Sequence, residues 1–205
     1  MLPEEIEKES MAIIAREAGE HGFSSEHWAV VSRMIHTSAD FEYLRSVRFH
    51  PRAVESGISA LLKGRPVITD TSMALAGLRK KDLGEMGCPC LCYIDDPEVI
   101  SLAAGKGSTR AEAAVDRALP DMKEGIYVVG NAPTALLRLI DLLKQGRAAP
   151  ALIVGVPVGF VNAVESKDLL AGQDVPYITN KGRKGGSNVA AAVVNSLILL
   201  ARKQH

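Results

Sequence analysis

GIYVVGNAPTALLRLIDLLKQG, Gly125 to Gly146, passes from an unbroken apolar run through a Gly-Asn turn into a segment whose Leu and Ile residues recur at helical spacing. The run reads as a strand buried on both faces, and the rest reads as the helix that covers it. Pro133 suits the first helical turn, where a missing N–H costs no intrahelical bond, and Gly146 is placed to stop the helix. The same logic repeats downstream. ALIVGVPVGF gives a strand to Gly155, a glycine-containing turn and a helix around 161–171. VPYITN (Val175–Asn180) is a third strand, followed by a Gly- and Lys-rich loop and an Ala-rich helix, Ser187–Arg202.

Alternating strands and helices describe a parallel sheet covered on both faces, with right-handed crossovers. Upstream, helices are expected over Glu4–Ala18, Ser25–His36 and Pro51–Lys63. A strand at Pro66–Thr69, a helix from about Thr71, a strand at Cys90–Ile94 and a helix from about Thr109 complete the pattern. The expected fold class is α/β: one three-layer α/β/α domain over residues 1–205, with a mostly parallel central sheet and additional N-terminal helices.

Composition narrows the function. The chain has 205 residues, enough for a sizeable core, and with 47% hydrophobic but only 4% aromatic residues that core must be built from Ala, Val, Ile and Leu. A formal net charge of zero argues against a protein that grips nucleic-acid backbones by bulk charge, so no nucleic-acid partner is expected. The start, MLPEEIEKESMAII, is acidic and amphipathic, without the basic segment and apolar block of a signal peptide. The apolar stretch Val189–Ala201 is broken by Asn195 and Ser196 and is too short to span a bilayer. The expectation is a soluble, cytoplasmic chain without a membrane partner.

Cys88, Cys90 and Cys92 lie in CPCLC, where alternate spacing on a strand makes them resemble small hydrophobes more than ligands. A zinc site usually shows two intervening residues and a second ligand pair. His21, His27, His50 and His205 form no metal-spaced cluster with His36 either, so no metal or cofactor is expected.

In an open parallel sheet, ligands sit beyond the carboxyl ends of the strands. Five segments should gather there: TDTSMAL (Thr69–Leu75), GSTRAEAA (Gly107–Ala114), GNAPTAL (Gly130–Leu136), GVPVGFVNAVESK (Gly155–Lys167) and NKGRKGGSN (Asn180–Asn188). Several open onto helix N-termini, whose free N–H groups favour anions. NKGRKGGSN is no phosphate-binding P-loop, because its lysine precedes the glycine pair, and GNAPTA lacks the spacing of a dinucleotide fingerprint. Lys181, Arg183, Lys184 and Arg110 suit scattered carboxylates on a bulky ligand better than one compact triphosphate, and read equally well as solvated surface charges.

RMIHTSAD (Arg33–Asp40) places His36 at the end of an apolar helical run. The helix dipole favours the imidazolium there, which serves a purely structural histidine and a proton donor alike. Arg33, three residues earlier, shares its face if the helix persists. No Gly-X-Ser-X-Gly elbow supports a hydrolase.

RMIHTSAD, TDTSMALAGL, GSTRAEAA, GNAPTALLRL, GVPVGFVNAVESK and GRKGGSNVAAAVVNSL, in this order and preceded by EIEKESMAII, resemble the precorrin-8X methylmutase family of cobalamin biosynthesis. The resemblance implies an isomerase that moves a methyl group from carbon 11 to carbon 12 of a contracted tetrapyrrole, as precorrin-8 or its cobalt form. It also implies an α/β homodimer with this corrinoid substrate where the subunits meet. The family's catalytic histidine falls on His36, and its substrate-contacting serine and arginine fall on Ser10 and Arg33. Further candidate contacts are Thr37, Ser38, Asp70, Thr71, Arg110, Asn131, Val158, Gly159, Arg183, Gly185, Gly186 and Ser187. A methyl shift without redox change needs no nicotinamide, flavin or protein-bound metal. Two other classes remain open: a corrinoid carrier without turnover, and a nucleotide-dependent α/β enzyme using NKGRKGGSN.

Overall fold

The structure is a computed structural model that describes Leu2–Gln204. Its sheet has six strands, β1 (Val47–Phe49), β2 (Val67–Thr69), β3 (Cys90–Cys92), β4 (Ile126–Val129), β5 (Leu152–Gly155) and β6 (Tyr177–Asn180), in the order β1-β6-β5-β4-β2-β3. All neighbours are parallel except β1, which pairs antiparallel with β6 through Val47–Asn180, Arg48–Thr179 and Phe49–Ile178.

The helices are α1 (Pro3–Ala18), α2 (Ser25–Ser38), α3 (Tyr43–Ser46), α4 (Ala53–Leu62), α5 (Ser72–Gly77), α6 (Lys80–Glu85), α7 (Pro97–Lys106), α8 (Arg110–Met122), α9 (Pro133–Lys144), α10 (Ala163–Ala171) and α11 (Ser187–Arg202). Strand periodicity divides them. Ile126 and Val128 of β4, with Leu152 and Val154 of β5, face the helices α2, α4 and α11. Tyr127, Val129 and Ile153 point the other way, into the packing of α8, α9 and α10. The three-layer α/β/α expectation with added N-terminal helices therefore holds. Helix α11 buries Val189, Val193, Val194, Leu197 and Ile198, and packs most extensively against α2. Each such side chain removed from water contributes about 1.5–3 kcal/mol, which accounts for its nearly continuous apolar sequence without a membrane. Among the described residues, no helix is long and apolar enough to cross one.

Three helices and one strand lie outside the sequence expectations. Strand β1 has three residues, only one of them fully buried, and pairs on one side only, so it shows no alternation to read. Helices α3 and α6 have four and six residues, too short for a periodic signal. Helix α7 did carry signals: Asp96 caps it by accepting a hydrogen bond from the Glu98 N–H at 2.9 Å, Pro97 opens it and Gly107 closes it in a left-handed conformation. Helix α2 continues two residues past His36.

The order β3-β2-β4-β5 creates a topological switch. The chain leaves β2 toward β3 and leaves β4 toward β5, so a crevice opens between the carboxyl ends of β2 and β4. The loops that follow these strands form the edge described next.

Candidate functional site

Helix α2 brings His36 to this edge. Ser24 caps the helix, accepting from the His27 N–H at 3.2 Å, and Val30, Val31, Met34 and Ile35 bury one face against the core. The opposite face carries Arg33, His36 and Thr37. They line a shallow cavity of about 180 Å³ together with Arg79, Asn195 and Leu199. His36 is exposed. The helix ends where Ala39, left-handed at φ 53°, donates its N–H to the Ile35 carbonyl at 2.7 Å. His36 thus lies in the last turn rather than at its final residue. The shared face with Arg33 is as expected.

Several candidate side chains are already engaged within the chain. Arg33 pairs with Glu7 of α1. The Ser38 hydroxyl donates to the Met34 carbonyl of its own helix at 2.7 Å, and the Ser10 hydroxyl to that of Ile6 at 2.8 Å. Ser10 is half-buried on α1, and no hydrogen bond links it to the other candidates.

Asp70 follows β2 and fills the switch crevice. Only 2% exposed, it accepts three backbone N–H groups from the loop after β4: Gly130 at 3.0 Å, Asn131 at 2.8 Å and Ala132 at 2.8 Å. Burial nonetheless raises its carboxyl above the usual carboxylate range, against the pull of those donors. Both oxygens are thus committed to the scaffold, which accounts for Asp70 differently from the substrate contact expected of it. Asn131 beside it keeps an exposed side chain.

Next to Asp70, the Thr71 hydroxyl caps α5 by accepting from Ala74 at 3.1 Å, and it lies 2.8 Å from the Ser187 hydroxyl at the start of α11. Ser72 donates to Asp95 at 2.8 Å, and Asp95 lies 3.9 Å from Arg110 at the start of α8. Asn188 reaches the Thr37 carbonyl at 3.5 Å. Thr37, Thr71, Ser187 and Arg110 are thereby joined along one edge, although they span much of the chain.

The GRKGGS loop is held from several sides. Lys184 pairs with Asp40 and Glu42, just past α2, so the carboxylate partners expected of it in a ligand are supplied by the protein itself. Lys167 on α10 is fully buried and donates to the Lys184 carbonyl at 2.8 Å and to the Asn180 side chain at 3.5 Å. Burial draws the Lys167 ammonium down to about 8. Gly185, at φ +156°, admits no side chain: a Cβ there would lie 2.1 Å from the Val156 carbonyl oxygen. Gly186 donates to that same carbonyl at 3.0 Å, and Gly159 donates to the Arg183 carbonyl at 3.1 Å. The two glycine-rich loops are thus stitched together, with Val158 at their exposed rim.

The Lys184 hydrogen bond, reinforced by the Glu42 N–H, holds the Asp40 carboxyl below its ordinary value of 3.8. Its folded-state value being lowered, the pair's contribution to stability is present above that ordinary value and is lost as pH falls through the lowered one. Thermal melts of Asp40→Asn and the parent are expected to differ slightly at neutral pH and to converge in acid. A gap of constant size down to the acid limit would show that the ion pair is not its cause.

Sequence reasoning missed five residues at this edge. Met73 (72% exposed), after β2, and Phe160 (84%) and Val161 (78%), in the loop after β5 that also carries Val158 (43%), stand out into solvent, and the Arg183 guanidinium lies 5.4 Å from the Phe160 ring centroid. An aromatic side chain inside a glycine loop of an aromatic-poor chain was the available signal. Arg79 and Asn195 carried none, because only the tertiary fold sets them beside His36. A groove of about 400 Å³ between Arg52, Lys63, Arg65 and Glu124 is larger, but it lies at the opposite, amino ends of the strands. Among the described residues no group of three or more His, Cys, Asp or Glu side chains is placed to hold a metal ion, and His205 lies outside them.

The arrangement offers an exposed imidazole between two guanidiniums, a cation-bearing loop and an uncovered apolar rim. The chain as a whole is similar to known proteins. A family sequence model described as precorrin-8X methylmutase matches residues 5–200. The cobalt-precorrin-8 methylmutase of Leptospira interrogans is 46% identical over 99% of this chain and 96% of its own length. The precorrin-8X methylmutase of a Sinorhizobium species is 40% identical over 94% of this chain and 92% of its own. The solved structure of the Thermus thermophilus precorrin-8X methylmutase superposes with a TM-score of 0.91 at 45% identity, covering 98% of this chain and 97% of that one. Matched from end to end in sequence and in fold, the chain belongs to the precorrin-8X methylmutase family.

Proposed function

We propose that this isomerase moves the methyl group of precorrin-8, metal-free or cobalt-bearing, from carbon 11 to carbon 12, and that His36 donates the hydrogen bond or proton that promotes the shift. A 1,5-sigmatropic migration consumes no water, phosphate or reducing equivalent. It depends on the electron distribution of the conjugated ring, and one positioned acid at a ring nitrogen alters that distribution. Such help is typically worth ~10²–10⁴-fold, roughly 3–5 kcal/mol of barrier. Holding the macrocycle in a reactive shape supplies the remainder.

The observation that carries this reading is the exposed His36 on the same helix face as Arg33, at the carboxyl edge of the sheet. The cavity around it, about 180 Å³, is too small to enclose a tetrapyrrole, since even drug-sized ligands occupy roughly 300–1,000 Å³. One chain therefore cups an edge of the ring and leaves a face uncovered. Met73 in the first turn of α5, and Val158, Phe160 and Val161 in the loop after β5, are also uncovered at the carboxyl edge. A second copy of the chain laid over them would close the site, giving a homodimer with the ring at the subunit boundary.

The test is direct. Purified protein mixed with precorrin-8, or with cobalt-precorrin-8, is expected to convert the substrate with the visible spectral change of methyl migration. ATP, NAD and S-adenosylmethionine are expected to show no saturable binding. Tight binding of the ring with no conversion of either form would make the chain a carrier and end the catalytic reading.

A further inference from the structure

We propose that Arg79 is a second substrate-binding guanidinium, determining specificity by holding a peripheral carboxylate of the macrocycle beside His36. The inference rests on the placement of the ring over His36.

Arg79 lies in the short connection between α5 and α6, far in sequence from α2, yet it lines the same cavity as Arg33, His36 and Thr37. Its seat is rigid. The Arg79 N–H donates to the Asn195 side-chain oxygen at 2.9 Å, and the Asn195 amide returns a hydrogen bond to the Gly77 carbonyl at 2.9 Å. Asn195 belongs to α11, the helix against which α2 packs, so His36 and Arg79 are registered on one support.

The side chain is oriented as well as seated. Its Nε pairs with Asp82, whose side chain is only 7% exposed. Among the described residues, neither terminal nitrogen of Arg79 has a hydrogen-bond partner, and the side chain is 48% exposed. A guanidinium fixed through Nε keeps its outer edge for a planar, bidentate acceptor, which a carboxylate is. The rotamer entropy that a free surface arginine loses on binding has already been spent in folding.

Arg33 offers a contrast. Its partner Glu7 is half exposed on α1, so that ion pair is open to water and to exchange with a ligand. The two arginines thus line the His36 cavity from different elements, one held by a water-exposed ion pair and one on a fixed mount. A ring fringed with carboxylates that presents a nitrogen to His36 would place substituents on both.

Arg79→Gln is expected to leave the fold intact, because Asp82 keeps its second guanidinium, Arg202, which also pairs with Glu85. The measurement is visible-absorbance titration with two probes: hydrogenobyrinic acid, carrying free carboxylates, and the same corrinoid with its carboxylates converted to amides. The wild type is expected to prefer the acid. Arg79→Gln should weaken acid binding about tenfold or more, as for loss of a charge-assisted bidentate contact, and leave amide binding within about twofold. Arg79→Lys should restore part of the loss. Equal weakening of both probes would mark a structural role, and no weakening of either would remove Arg79 from the site; each result overturns the proposal. If the wild type binds neither probe, the placement of the ring itself falls, and this inference with it.

Discussion

Replacing His36 with alanine is expected to depress conversion of precorrin-8 at least about a hundredfold while leaving the macrocycle bound, the lower bound of what a positioned general acid contributes. The imidazole is exposed and belongs to no core cluster, so truncation opens no cavity and the melting temperature should stay put. Arg33, Arg79 and the loop cations remain, so affinity for the carboxylate-fringed ring should persist. The loss should fall on kcat with little change in KM, the pattern of an interaction made mainly in the transition state. Turnover of the alanine variant at the parental rate would remove His36 as the acid. A large rise in KM with unchanged kcat would instead assign it to binding.

Asp70→Ala is expected to lower stability by about 3 kcal/mol without touching the proposed acid. Three backbone donors converge on that carboxylate, and stranding a buried donor costs about 1–3 kcal/mol each. Removing the carboxylate also recovers the desolvation cost that raises its own titration, so the net loss lies near the low end of the sum. For a chain of this size, ~3 kcal/mol corresponds to a fall in melting temperature of roughly 6–12 °C. Asp70→Asn keeps one oxygen acceptor and should lose less. A melting temperature within about 2 °C of the parent for the alanine variant would mean that water or a shifted loop satisfies those donors.

The sheet's parallel half was legible because its strands and helices differ in period and are punctuated by Pro and Gly. Helix α11 has the boundaries its sequence suggested, Ser187–Arg202, and β4 differs from its expected span by one residue. The antiparallel strand β1 was not legible, because it is specified by its partner β6 rather than by its own three residues. The site divides in the same way. His36 and Arg33 share a face by helical spacing alone, but the chemistry assigned to His36 came from motif resemblance, since a helix-end imidazole looks the same in either role. Asp70 and Lys184 read as ligand contacts because their charges were visible and their internal partners were not. Arg79 meets Asn195 across 116 positions of sequence, a distance that no local pattern bridges.

The packing of α2 against α11, and of β1 against β6, also sets a timetable for biosynthesis. On the ribosome, the segment bearing the imidazole emerges before the strand and helix that support it. Until residues 177–202 follow, α2 lacks its largest neighbour and β1 the strand with which it pairs. A nascent chain stalled before Ser187 would therefore be inert however well its middle had folded, and competence would arrive only once α11 has emerged.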